Sequence, residues 1–294
     1  MQKFIGTGVA LITPFKEDLS VDYEALKKLV NYNIENGIDY LVINGTTGES
    51  GTITKEEKQE IINVIVQTNN KRLPLVLGVG GSNTALVLEE LKTRNFSGID
   101  GILSVAPYYS KPTQEGFYQH FKAIATATDL PIILYNVPGR TAKNMDPATT
   151  LRLANDFKNI VGVKEAGNNT QQYYTLLKDK PADFSVISGD DDLALGVVLA
   201  GGVGVISVIG QAFPKQFSAM IRHGLNGNNN EGYAIHYKMM DIVDLIFEEN
   251  NPAGIKSVLQ ELDICRNDVR LPLVKASSVL SANIRQFVTN FKLN

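Results

Sequence analysis

Tryptophan is absent from the chain, cysteine occurs once (Cys265) and histidine three times (His120, His223, His236). A single cysteine excludes an intrachain disulfide and every multi-cysteine zinc or iron–sulfur motif. The histidines form neither an H-x-x-x-H nor an H-E-x-x-H pair, so no histidine-rich metal site is expected. There is no excess of basic charge: 28 Lys and Arg stand against 31 Asp and Glu, a net charge of −3, without the positive stripe of a nucleic-acid binder. Neither a G-x-G-x-x-G fingerprint after a first strand nor a G-x-x-x-x-G-K-[ST] phosphate loop occurs, which counts against nucleotide-binding folds. The start, Met1 to Phe15, lacks a small-residue cleavage site and runs straight into Lys16-Glu-Asp, so it reads as a first strand rather than a signal peptide. Leu193 to Pro214 is uncharged and long enough to span a bilayer, but five glycines interrupt it. A helix, a turn and a buried strand fit it better. The chemistry must rest on something other than Cys, Trp or metal.

What the chain has is ordinary globular material: 44% hydrophobic and 20% charged residues over 294 positions. Short apolar runs recur eight times, at Val9–Ile12, Tyr40–Ile43, Leu75–Val79, Gly101–Val105, Ile132–Tyr135, Ile160–Lys164, Phe184–Ile187 and Val205–Ile209. Most are near-continuous rather than alternating, as in parallel strands buried on both faces. Helical patterns separate them. Leu26, Leu29, Val30 and Ile34 keep a 3.6-residue period that ends at Gly37. Thr54-x-x-Glu57 is a capping box, and Asp146-Pro147 places a capping Asp before a first-turn Pro. Eight strands alternating with helices predict a (β/α)8 TIM barrel, with an open doubly wound sheet as the alternative. The sequence after Phe213 reads helical to its end. The expected division is a barrel over residues 1–225 and a C-terminal helical appendage over 226–294 packed on it.

In such a barrel the side chains at the C-terminal strand ends converge on one face. Lys164 directly follows Ile160-Val-Gly-Val163, so its stem should lie inside the barrel. Burial disfavours an ammonium and favours the free amine that attacks carbonyls. The alternative is a structural lysine paired with Glu165 or another carboxylate. Tyr135 ends the preceding strand, about 4.8 Å away across the sheet, where a phenol can relay the protons of imine formation; a core tyrosine is the plainer reading. Thr46 and Thr47 lie in a Gly-flanked turn suited to a carboxylate, or merely to loop capping. Arg140 offers a fork for a substrate carboxylate. Asp190 and Asp191 read as caps for the helix after strand seven, with a catalytic acid pair as the alternative. An amine nucleophile, a proton shuttle and two anion sites suit Schiff-base chemistry on an oxo acid.

The motifs Gly45-Thr-Thr-Gly-Glu-Ser50, Pro107-Tyr-Tyr109, Tyr135-Asn-Val-Pro-x-Arg-Thr141, Gly162-Val-Lys-Glu-Ala166, Ser188-Gly-Asp-Asp191 and Gly204-Val-Ile-Ser-Val208 run in order along nearly the whole chain. In these it resembles the 4-hydroxy-tetrahydrodipicolinate synthase (dihydrodipicolinate synthase) family of pyruvate-dependent class I aldolases. The resemblance implies that Lys164 forms an imine with pyruvate and that Thr46, Tyr135 and Tyr109 make a proton relay, Tyr109 reaching in from a neighbouring subunit. It further implies that Thr47 binds the pyruvate carboxylate, Arg140 the carboxylate of L-aspartate 4-semialdehyde, and that Gly189 and Ile206 supply backbone carbonyls. The implied setting is the first committed step of lysine biosynthesis, in a cytoplasmic homotetramer built as a dimer of dimers, without metal or dissociable cofactor.

Two departures from the family pattern carry expectations. Members inhibited by lysine bind it near Ser50, Gly51 and Tyr108, with a glutamate on the helix after strand three. Here Leu86 occupies that position, and Lys55 and Lys58 stand where inhibited members have histidines, so lysine feedback should be weak or absent. The family's N-P-x-P-x-K stretch reads Asn251-Pro-Ala-Gly-Ile-Lys256; the lost proline should loosen a turn lying away from the chemistry. The rival functions are another Schiff-base pyruvate aldolase (N-acetylneuraminate lyase or a keto-deoxy sugar-acid aldolase) and a non-catalytic oxo-acid-binding barrel. Arg140 within Asn136-Val-Pro-Gly-Arg-Thr141 discriminates against the sugar-acid aldolases.

Overall fold

The computed structural model of the chain describes residues 3–291. Its strands are β1 (Gly6–Ala10), β2 (Tyr40–Ile43), β3 (Leu75–Gly78), β4 (Gly101–Val105), β5 (Ile132–Asn136), β6 (Ile160–Glu165), β7 (Ser185–Ser188) and β8 (Gly204–Ser207). The connecting helices are α1 (Tyr23–Glu35), α2 (Lys55–Asn69), α3 (Thr84–Thr93), α4 (Gln114–Ala125), α5 (Pro138–Thr141), α6 (Pro147–Asp156), α7 (Thr170–Asp179), α8 (Ala194–Leu199) and α9 (Pro214–Leu225). After them come α10 (Asn229–Glu248), α11 (Ala253–Glu261) and α12 (Ser278–Asn290). All strands are parallel and follow sequence order, and β1 pairs with β8 to close the barrel. The chain is therefore a (β/α)8 TIM barrel with C-terminal helices, and the open doubly wound sheet is excluded.

The first strand begins three residues before the apolar run that announces it. Glycines make this possible: a Cβ on Gly204 would fall 1.9 Å from the Gly6 carbonyl oxygen, and one on Gly8 would fall 2.2 Å from the Tyr40 ring. The seam closes only without side chains there. Ile12 leaves the ladder, donating its N–H to Gln211 Oε1 at 2.9 Å.

Strand side chains alternate between two clusters. Val42, Val76, Leu103, Ile133, Ile187 and Ile206 fill the barrel interior, while Leu41, Leu77, Leu134, Val163, Val186 and Val205 meet the helices. Side chains of α10, α11 and α12 (Ile242, Ile255, Leu280 among them) belong to the same buried cluster as this outer layer. The expected division at residues 225/226 falls between α9 and α10, and residues 292–294 of the expected appendage lie outside the described residues.

Local signals held in most places. α1 ends before Gly37 at φ 92°, and the Thr54–Glu57 capping box is closed in both directions. Asp146 does not cap α6 with its side chain: Oδ1 accepts from Asn144 Nδ2 at 3.1 Å, and its backbone carbonyl takes the Thr149 and Thr150 N–H groups. Leu193–Pro214 divides into α8, β8 and a 3-10 turn at Ile209–Gln211. Among the described residues no helix is long and apolar enough to cross a membrane.

Candidate active site

Lys164 and Tyr135 are direct partners across the β5–β6 ladder. Both are buried, and Lys164 Nζ lies 4.4 Å from the centroid of the Tyr135 ring. The expected alternative of a Lys164–Glu165 pair fails because successive strand residues face opposite ways. Glu165 points outward, its carboxylate accepting from Asn136 Nδ2 at 3.0 Å on each oxygen and from Gln172 Nε2 at 2.8 Å. Lys164 is left with an aromatic face on one side and no carboxylate salt-bridged to it among the described residues. Gly189 packs beside its stem: a Cβ there would lie 3.0 Å from Lys164 Cε and 2.6 Å from the Ala166 Cβ. Ile206 is fully buried in the interior cluster that also holds Tyr135.

Outside the barrel wall the next ladder pair, Asn136 and Glu165, forms a buried polar knot. Asn136 Oδ1 accepts from the Met145 N–H, and Asn144 bridges Asn136 to Gln172. Among the described residues no cation pairs with it, and burial pushes the Glu165 carboxyl up to about 7, opposed by the two amides that donate to it.

The turn after β2 uses the N–H groups of Gly48 and Glu49 on the carbonyls of Gly45 and Thr46. The N–H groups of Thr46 and Thr47 take no partner among the described residues, as an anion site requires. Thr46 is exposed and lines a cavity of about 90 Å³ with Tyr135, Asn44, Ser50 and Lys58. Thr47 is buried, and its Oγ1 accepts from Asn251 Nδ2 at 2.9 Å. Two residues on, Glu49 meets Lys256 Nζ at 2.5 Å with both side chains fully buried. Lys256 also donates to the Asp268 carbonyl, Arg270 N–H donates to Glu49, and the Arg270 guanidinium forks onto Glu57. The stretch 251–256 is thus neither loose nor remote, contrary to the expectation from its lost proline. Residues 251–259 are all buried, and a Cβ on Gly254 would sit 2.4 Å from the Ile246 carbonyl oxygen. Glycine at that position lets α11 press against α10.

Arg140 is exposed on α5 and donates from Nη2 to Asn250 Oδ1 at 3.2 Å. Tyr109 is 93% exposed with φ 68°, while the neighbouring Tyr108 exchanges hydrogen bonds with Ser82. Ser50 and Gly51 lead into α2. Asp190 and Asp191 do not cap α8, whose N-cap is Leu193 without a side-chain bond. Asp191 Oδ2 accepts instead from Val208 and Ile209 N–H at 3.0 and 2.9 Å, fixing the turn after β8. Asp190 accepts from Asn168 N–H and Tyr173 Oη, and burial raises its carboxyl to about 6. Lys164 lies near enough to both aspartates to favour their ionised forms.

Sequence reading missed Glu49, Asn250, Asn251 and Lys256 as parts of this neighbourhood, and Glu90 as a wall of the cavity that Thr46 lines. The one available signal was polar residues inside apolar surroundings, as with Lys256 between Ile255 and Val258. Among the described residues no group of three His, Cys, Asp or Glu side chains is placed to hold a metal ion.

The model of the dihydrodipicolinate synthetase family matches residues 3–290. The 4-hydroxy-tetrahydrodipicolinate synthase of Flavobacterium psychrophilum is 58% identical over 98% of this chain and 98% of its own. The solved dihydrodipicolinate synthase from Aquifex aeolicus superposes with a TM-score of 0.95 at 39% identity, covering 99% of both chains. A monomeric dihydrodipicolinate synthase variant superposes equally well, at 0.95 and 38% identity over 98% of this chain and 96% of its own.

Proposed function

The chain belongs to the dihydrodipicolinate synthetase family, and from that membership we propose a lyase that condenses pyruvate with L-aspartate 4-semialdehyde through an imine on Lys164, giving 4-hydroxy-tetrahydrodipicolinate. The buried Lys164–Tyr135 pair is the observation that carries the reading. Lys164 Nζ attacks the pyruvate keto carbon and water leaves. Tyr135, with Thr46 and a partner's Tyr109, delivers the proton to the departing oxygen. Loss of a methyl proton gives the enamine, whose carbon attacks the aldehyde. The substrate amine then displaces Lys164 from the imine carbon, closing the ring and restoring the free lysine. Thr47 and the free N–H groups of its turn hold the pyruvate carboxylate, Arg140 holds that of the semialdehyde, and the carbonyls of Gly189 and Ile206 flank the reacting carbon.

The reaction is the first committed step of lysine biosynthesis, and we place it in the cytoplasm, in a tetramer of paired dimers. The tetramer is the family's usual state, although one structural relative is a monomeric variant. Feedback by lysine is weak or absent, for reasons of charge argued below.

Borohydride reduction in the presence of pyruvate tests the chemistry. A pyruvyl adduct on the Lys164 peptide is expected, and its absence would refute the Schiff base. Adding L-aspartate 4-semialdehyde should then give product; turnover only with sialic or keto-deoxy sugar acids would replace this reading with that of an aldolase.

A further inference from the structure

We propose that Asn250 and Asn251, at the junction of α10 and α11, are positioning residues for the two carboxylate-binding groups, Asn251 holding Thr47 as a hydrogen-bond donor and Asn250 aiming Arg140. The inference rests on the roles given above to Thr47 and Arg140. Four residues form one continuous run. Asn251 Nδ2 donates to Thr47 Oγ1 at 2.9 Å, the Asn251 backbone N–H donates to Asn250 Oδ1 at 2.9 Å, and that same oxygen accepts from Arg140 Nη2 at 3.2 Å. The run joins the turn after β2 to α5 by way of the C-terminal helices.

The polarity of each link matters. A hydroxyl that accepts from an amide N–H keeps its own hydrogen free to donate elsewhere, which is what a carboxylate ligand needs. Asn250 presents a neutral acceptor to Arg140, so it turns the guanidinium without neutralising it and leaves the other N–H groups of the fork available. Neither asparagine is placed against Lys164 or Tyr135.

The junction is built to keep its position. Asn250 adopts φ 83°, a left-handed conformation that asparagine tolerates better than most residues. Asn251 is 5% exposed. Five residues past Asn251, α11 is bolted to the same turn by Lys256 and Glu49. A shift of the C-terminal helices would therefore be felt at Thr47 and Arg140 together.

Steady-state kinetics of the full-length enzyme, varying pyruvate and L-aspartate 4-semialdehyde separately, test the proposal. Asn251→Ala should raise the pyruvate KM about fivefold, the worth of one neutral hydrogen bond, with kcat and the aldehyde KM within about twofold. Asn251→Asp, of the same shape, should raise it further, because a carboxylate there accepts from Thr47 and turns the hydroxyl hydrogen away. Asn250→Gly keeps the left-handed backbone and should raise the aldehyde KM about threefold while sparing the pyruvate KM. In a Thr47→Val background, Asn251→Ala should have no further effect on pyruvate. If Asn251→Ala does not fold, the isosteric Asn251→Asp carries the test. Both KM values rising together, kcat alone falling, or additivity with Thr47→Val would reduce the asparagines to structural residues and overturn the inference. A Thr47→Val enzyme with an unchanged pyruvate KM would refute the role of Thr47 itself. A raised KM in Thr47→Val but not in either Asn251 variant would sink this inference alone.

Discussion

Lys164 and Glu165 are neighbours in sequence and opposites in surroundings. One faces the barrel interior and the Tyr135 ring; the other is enclosed by amides outside the wall. The placement of Lys164 and Tyr135 was legible because a strand's last residues must lie on the face where the strand ends converge and alternation decides which of two neighbours points in. The environment of Glu165 was not legible, because Asn136, Asn144 and Gln172 come from three separate segments. The same limit explains Asp191, whose partners lie 17 and 18 residues away. The Glu165 knot has a measurable consequence. Its carboxyl is raised from an ordinary 4.5 to about 7, so the folded state holds a proton that the unfolded state releases. Stability from this group is present below about pH 4.5 and is lost as pH rises through about 7, by roughly 3 kcal/mol. Glu165→Gln keeps the shape and cannot ionise. Urea unfolding at a series of pH values should show the variant gaining on the wild type between about pH 4.5 and 7; a difference independent of pH would mean that Glu165 stays ionised in the fold.

At the scale of elements, α2 and α3 frame the groove in which inhibited relatives are expected to hold lysine. Leu86 is 61% exposed on α3, where those relatives have a glutamate. The sequence argument rested on that missing carboxylate together with the like charge of Lys55 and Lys58. The structure adds one, since Glu90, a turn further along α3, reaches the cavity shared by Ser50 and Lys58. Its charge is already committed: Glu90 Oε1 accepts from Arg94 Nε at 2.9 Å and Nη2 at 2.8 Å. Lys58 stands half-buried beside it, and burial lowers the pKa of its ammonium. An incoming lysine side chain would thus meet Lys58 and a glutamate already paired with Arg94, so lysine feedback is expected to be weak. Activity in millimolar lysine should match that without it. Leu86→Glu, which restores an unpaired carboxylate, should lower the lysine concentration needed for inhibition about tenfold, the worth of one charge-assisted hydrogen bond. Clear inhibition of the unaltered enzyme by millimolar lysine would defeat the charge argument.

Over the whole molecule, barrel closure and strand order followed from eight apolar runs, but the part played by the C-terminal helices did not. Periodicity marks Ile255, Val258 and Leu259 as core and leaves Lys256 to be assumed exposed, yet its ammonium ends on Glu49, 207 positions earlier in the chain. Contacts of that separation are invisible to local pattern. We therefore propose that residues 226–291 complete the catalytic unit rather than ornament it. Tyr109 poses the same question one level up. It is 93% exposed in a left-handed conformation, a costly placement for a large aromatic residue that nothing among the described residues explains. A partner that buries Tyr109 against the Thr46–Tyr135 cavity would remove that exposure and supply the third hydroxyl of the relay. Light scattering should accordingly find at least a dimer at assay concentration. Tyr109→Phe keeps the ring for assembly and loses only the hydroxyl, so kcat should fall about a hundredfold with the oligomer intact. Full activity in a monomer, or in Tyr109→Phe, would show that each barrel completes its own relay.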